Sequence, residues 1–122
     1  MNLTTGVDLI EIARIEGVLA RHGERFLNRI FTPREIQLTR SKAPELAVRF
    51  AAKEAVSKAL GTGIGLVSWQ EMEITNDPLG KPTLTLHDRA RTRAQALGLS
   101  SWSISLSHSR GMAVAVVVGY GE

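Results

Sequence analysis

Residues 49–65 read RFAAKEAVSKALGTGIG, a helix carrying two lysines and one carboxylate that runs into a glycine loop. Ala51, Ala52, Ala55 and Ala59 favour a helix, which Gly61 stops. Gly63 and Gly65 leave the following loop open to backbone angles closed to other residues. Glu54 and Lys58 stand four residues apart and share one helix face, while Arg49 and Lys53 lie a turn apart on a neighbouring stripe. An acid suited to Mg²⁺, bases suited to phosphate and a loop able to approach a ligand make up a site for a polyphosphate. The same residues also admit a plain reading. Glu54 followed by Lys58 is the favoured order of a surface ion pair, worth a few tenths of a kcal/mol, and glycine after a helix is ordinary capping.

Upstream, Pro44 is expected to start this long helix. Before it, FTPREI at 31–36 predicts a short helix ending near Ser41. Thr32 is its N-cap, Pro33 its first residue, Glu35 completes a capping box, and Phe31 with Ile36 forms a hydrophobic staple. Residues 2–8 predict a short strand ending at Asp8. Ile10, Ile12, Ile15, Val18 and Leu19 then recur at helical spacing to about residue 22. Gly23 either breaks that helix or is tolerated within it, and Phe26, Leu27 and Ile30 continue the apolar face.

Downstream, residues 66–76 predict a strand whose apolar alternation changes phase, with a bulge or bend near Gln70. Asp77, Pro78 and Gly80 make a turn into a partner strand at Thr83 to Leu86. Residues 88–97 are expected to be helical, with Gly98 as C-cap. Residues 101–109, SWSISLSHS, alternate strictly, with Trp102, Ile104, Leu106 and His108 on one face and serines on the other. Gly111 turns the chain into Met112 to Val118, a near-continuous apolar run expected to be a central, buried strand. The order of elements predicts one α+β domain over 1–122, an antiparallel sheet with hairpins packed against a long helix.

Composition narrows the function. The 122 residues carry 15 Lys and Arg against 12 Asp and Glu, a net charge of +3, which favours an acidic partner. Aromatics make up 5% and do not interleave with the basic residues, which counts against stacking on single-stranded bases. The absence of cysteine excludes disulfides, zinc–thiolate sites and a cysteine nucleophile. No apolar run is long enough to span a membrane, and no basic segment precedes an apolar one at the N-terminus. A cytoplasmic location is the expectation.

Asp8, at the exit of the first strand, is either a functional carboxylate or, with Glu11, a capping box. Asp8 and Glu54 form the candidate Mg²⁺ pair, because that ion takes one or two carboxylates and completes its shell with water and phosphate oxygens. Arg14, Arg21 and Arg25 fall within about 40° of one another on a continuous helix, a stripe fit either for an acidic helix of a partner or for solvent. His22, His87 and His108 show no metal-ligand spacing, and GTGIG lacks the pattern of a P-loop.

Together these pieces resemble the holo-acyl-carrier-protein synthase family, the small single-domain branch of the 4′-phosphopantetheinyl transferases. The resemblance rests on Gly6-Val7-Asp8 with Glu11 and Arg14, on Phe31-Thr32-Pro33 with Glu35, and on FxxKEAxxKAxGTG from Phe50 to Gly63. Gly80-Lys81-Pro82 and Ser105 to Ser109 follow in the order the family has. It implies transfer of 4′-phosphopantetheine from coenzyme A to a serine of apo-acyl carrier protein in fatty acid biosynthesis, leaving adenosine 3′,5′-bisphosphate. By position it implies Asp8 and Glu54 as Mg²⁺ ligands and Lys58 on the coenzyme A phosphates. Glu54 is also a candidate base toward the serine. Arg49 and His108 fall near the nucleotide end of coenzyme A, and Gly61, Thr62 and Gly63 in the loop lining it. Arg14 falls on the helix that docks the carrier protein, and the stripe argument extends this role to Arg21 and Arg25. The resemblance further implies a homotrimer with sites between subunits. Two other classes compete: a Mg²⁺-dependent hydrolase of coenzyme A or nucleotide pyrophosphates, and a basic module that binds nucleic acid.

Overall fold

A computed structural model describes residues 1–122. Strands β1 (Asn2–Glu11), β4 (Ser101–Ser109) and β5 (Met112–Gly121) form an antiparallel sheet in the order β1-β5-β4. The apolar run predicted to be central is central: β5 pairs along its full length with both neighbours. A separate hairpin joins β2 (Met72–Asn76) to β3 (Pro82–Leu86). Helices α1 (Ile12–His22), α2 (Glu24–Ile30), α3 (Pro33–Thr39) and α5 (Asp88–Ala96) surround the central helix α4 (Ala43–Ala59). The α+β architecture with antiparallel hairpins against a long helix is therefore present.

Helix α4 lies across the inner face of the sheet. Leu46, Ala47, Val48, Ala51, Ala52, Ala55 and Val56 are buried around nearly its whole circumference. Small side chains let the strands come close. At Gly6 of β1 an added Cβ would collide with the carbonyl oxygen of Ala55, so only glycine fits where strand and helix touch. That contact sets the position of Asp8, two residues on.

Two local expectations change and two open readings close. β1 runs past Asp8 to Glu11 because its register with β5 continues to the Glu11–Met112 pair. Asp8 is thus a strand residue, and no side chain caps α1, so the Asp8–Glu11 capping box does not form. Gly23, at φ 48°, ends α1 and starts α2, so the two are separate helices. The predicted strand at 66–76 begins only at Met72, after a 3-10 turn at Trp69–Glu71 capped by Ser68. Glu71 closes that turn: it accepts hydrogen bonds from the Ser68 amide and hydroxyl, the Ala90 amide and Arg89. The Thr32–Glu35 capping box at the start of α3 forms as the sequence predicts.

Candidate active site

Two clusters flank α4. The first lies over the β1 edge of the sheet. Asp8 reaches from β1, and Lys58 from the last turn of α4 donates hydrogen bonds to Asp8 Oδ1 (2.9 Å) and to the Val7 carbonyl (3.1 Å). Glu54, one turn back on α4, faces the same place. Partial burial raises the proton affinity of its carboxyl, and the neighbouring Asp8 carboxylate raises it further against the opposing pull of Lys58 and Arg14. A carboxylate pair held together beside two cations is a perturbed cluster of the kind that marks a candidate functional site. The Glu54–Lys58 ion pair suggested by spacing is absent; Lys58 pairs with Asp8 instead.

The second cluster lies beyond the β4 edge, near the hairpin. Arg49, only 3% exposed, donates from Nη1 to the Glu45 carbonyl and carboxylate and from Nη2 to Asn76 Oδ1. Its Nε is buried without a partner. His108 of β4 points to the same place, with Nε2 3.7 Å from Glu45 Oε1. These residues, with Gly80, Pro82 and Ser107, line a cavity of about 260 Å³. At 100° per residue, Glu54 and Lys58 lie about 140° and 180° around α4 from Arg49. One chain therefore holds the two clusters apart.

Between them sits Lys53, which the sequence offered as a phosphate base. It is fully buried and its Nζ is saturated, donating to Glu35 Oε1 (2.8 Å), the Trp69 carbonyl (2.9 Å) and the Met72 carbonyl (2.7 Å). Glu35 also accepts from the Thr32 and Ile74 amides. Lys53 thus ties α4 to α3 and β2, and phosphate cannot reach it. The loop at Gly61, Thr62 and Gly63 caps α4: the Gly61 amide donates to Lys58, and the Thr62 and Gly63 amides to Ser57. With its amides spent, the loop offers shape, and nothing lies within 4 Å of where a Gly63 Cβ would stand.

The arginine stripe is also rearranged. Arg14 and Arg21 are exposed on α1, with the Arg21 guanidinium folded over Gly17. Arg25 is displaced onto α2 by the break at Gly23. There it shares, with Arg29 and His22, the rim of a groove of about 410 Å³ floored by Phe26, Phe50 and Trp69. Sequence reasoning missed this groove, and it missed Glu45 and Asn76. The Glu45–Arg49 spacing of four residues was the available signal for Glu45; Asn76 had none, since the hairpin brings it in.

The family model of the 4′-phosphopantetheinyl transferase superfamily matches residues 4–117, which includes both clusters. The chain belongs to that superfamily. Among relatives, it is 52% identical over 95 residues to the holo-[acyl-carrier-protein] synthase of Moorella thermoacetica, covering 75% of this chain and 73% of that one. It is 48% identical over 94 residues to that of Koribacter versatilis, covering 74% and 75%. Among solved structures, the Helicobacter pylori holo-[acyl-carrier-protein] synthase in complex with coenzyme A superposes with a TM-score of 0.88 at 39% identity, over 95% of this chain and 99% of that one. The Bacillus anthracis synthase in complex with CoA (3′,5′-ADP) gives 0.81 at 36%, over the whole of both chains. No helix of this superfamily member is long and apolar enough to cross a membrane.

Proposed function

We propose that this protein transfers 4′-phosphopantetheine from coenzyme A to a serine of apo-acyl carrier protein, releasing adenosine 3′,5′-bisphosphate. The observation that carries this reading is the cluster of Asp8, Glu54 and Lys58, two facing carboxylates and a half-exposed ammonium at one edge of α4. Transfer of a phosphoryl-type group needs positioning and charge neutralisation more than covalent help. Lys58 supplies a positive point charge to the phosphates of coenzyme A. An all-oxygen pair from two separate elements fits Mg²⁺, which Asp8 and Glu54 would hold, leaving the rest of its shell to water and phosphate. When bound, that ion neutralises charge on the pyrophosphate.

Arg49 and His108 take the phosphorylated nucleotide end of coenzyme A. Because they lie on the far side of α4 from Lys58, a complete site joins the β1-edge cluster of one copy to the β4-edge pocket of the next. Such head-to-tail contacts close into a ring, here a homotrimer. The outer face of the sheet supports this: Leu3, Val7, Leu9 and Val116 are exposed there at 66, 56, 61 and 42%. Arg14, beside Glu54, with Arg21 and Arg25, receives the acidic carrier protein, and the aromatic groove next to Arg25 takes an apolar side chain from it.

Intact-mass measurement of apo-acyl carrier protein, after incubation with this protein, coenzyme A and Mg²⁺, tests the proposal. A gain of one phosphopantetheinyl group that EDTA abolishes is the expected result. No gain, with phosphopantetheine released free, would replace the transferase with a hydrolase.

A further inference from the structure

Glu45 sits where an anion belongs. Its carboxylate accepts from Arg49 Nη1 at 3.1 Å and stands 3.7 Å from His108 Nε2, so it faces both basic side chains of the β4-edge pocket. The two sides of this ion pair differ in freedom. The Arg49 side chain is 4% exposed and stays tethered by the Glu45 main-chain carbonyl and by Asn76 Oδ1 whatever the carboxylate does. The Glu45 side chain is 44% exposed and its carboxylate is held by the hydrogen bond from Arg49 alone. Turning it to solvent costs a rotamer change and no buried contact. Arg49 meanwhile keeps a buried Nε with no acceptor. Buried donors are rarely left so, and a further acceptor is wanted at this point.

We infer that Glu45 is a built-in competitor of the substrate: its carboxylate occupies the Arg49–His108 pocket of the empty protein and is displaced by the 3′-phosphate of coenzyme A. The inference rests on the reading in which this pocket takes the nucleotide end. A phosphate offers more acceptor oxygens and more charge than the carboxylate it replaces, so it displaces Glu45, whereas a 3′-hydroxyl does not. The carboxylate thereby lowers the affinity for coenzyme A, which must displace it, and lowers less the affinity for a ligand with a 3′-hydroxyl, which leaves it in place.

Titration calorimetry of the intact protein with coenzyme A and with 3′-dephospho-coenzyme A tests this without relying on turnover. The wild-type protein binds coenzyme A more tightly. In Glu45→Gln, which keeps the side-chain size, the Kd for coenzyme A falls about three- to fivefold, the equivalent of an exposed ion pair of up to about 1 kcal/mol. The Kd for the dephospho form falls less, so the ratio between them widens. If the wild type prefers coenzyme A and Glu45→Gln leaves the ratio unchanged or narrows it, Glu45 is not a competitor and the pocket assignment survives alone. If the wild type binds both equally, the pocket does not read the 3′-phosphate, and both the assignment and the role of Glu45 fall.

Discussion

The β1-edge cluster and the β4-edge pocket use the same kinds of residue in opposite ways. At the β1 edge the anions crowd one another, Asp8 against Glu54, and the cation Lys58 is half exposed. At the β4 edge the cation Arg49 is buried and fixed, and the anion Glu45 is the exposed partner. The first arrangement suits a bound cation and a reacting phosphate; the second suits a static anionic handle on the substrate. Lys53 lies between them and serves neither. Its saturated ammonium fixes α4 to α3 and to the hairpin that carries Asn76. One motif, KEAVSK, thus contains a buried framework lysine and a half-exposed lysine of the β1-edge cluster that look alike in sequence.

The largest expected effect comes from the framework. Glu35→Ala leaves Lys53 buried without its counter-ion and should lower unfolding stability by about 3–5 kcal/mol, read from urea midpoints. Lys58→Ala should do the reverse. The exposed pair it breaks contributes at most about 1 kcal/mol after solvent screening. Steady-state transfer should nonetheless fall on the order of 10²–10³-fold, as for loss of one preorganised charge-stabilising donor. Equal losses of stability in the two variants would erase the distinction between the lysines.

The frame on the pocket side carries a pH signature. Burial pushes the Glu71 carboxyl up, but hydrogen bonds from Ser68, Ala90 and Arg89 outweigh this and leave it at about 2, against an ordinary 4.5. A depressed carboxylate contributes stability that is fully present above its unfolded value and is lost as pH falls through the folded one. Thermal stability should therefore decline between about pH 4.5 and 2, and Glu71→Gln should shrink that slope. The smallest effect is at the docking face. Arg14→Ala should raise KM for carrier protein about threefold at low salt and by little at high salt, because exposed charges are screened. A salt-independent change would move Arg14 from docking into the chemistry.

Most of the frame was legible in the chain. Thr32-Pro33-Arg34-Glu35 announced α3, and the apolar run at 112–118 announced the central strand, because capping and burial leave local patterns. What escaped depends on contacts distant in sequence. The length of β1 is set by pairing with β5, and the 3-10 turn before β2 by Glu71 reaching Ala90. In the site, the residue types of the first cluster were readable, but that Asp8 meets Glu54 follows from the close approach at Gly6, which spacing cannot express. The fate of Lys53 was hidden for the same reason: Glu35 and the Met72 carbonyl reach it from other elements.

In the proposed assembly the two clusters complete one site only across copies, which mixing of damaged chains can reveal. Lys58→Ala damages the β1-edge cluster and His108→Ala the β4-edge pocket, each in all copies of its own assembly. Chains of the two variants, co-expressed in equal amounts and assayed for transfer to apo-acyl carrier protein, form rings in which some interfaces pair an intact cluster with an intact pocket. For random assembly about a quarter of sites are intact, so the mixture should recover about a quarter of the wild-type rate. A mixture that stays at the average of its two parents would place the whole site within one chain and rule out a site shared between copies.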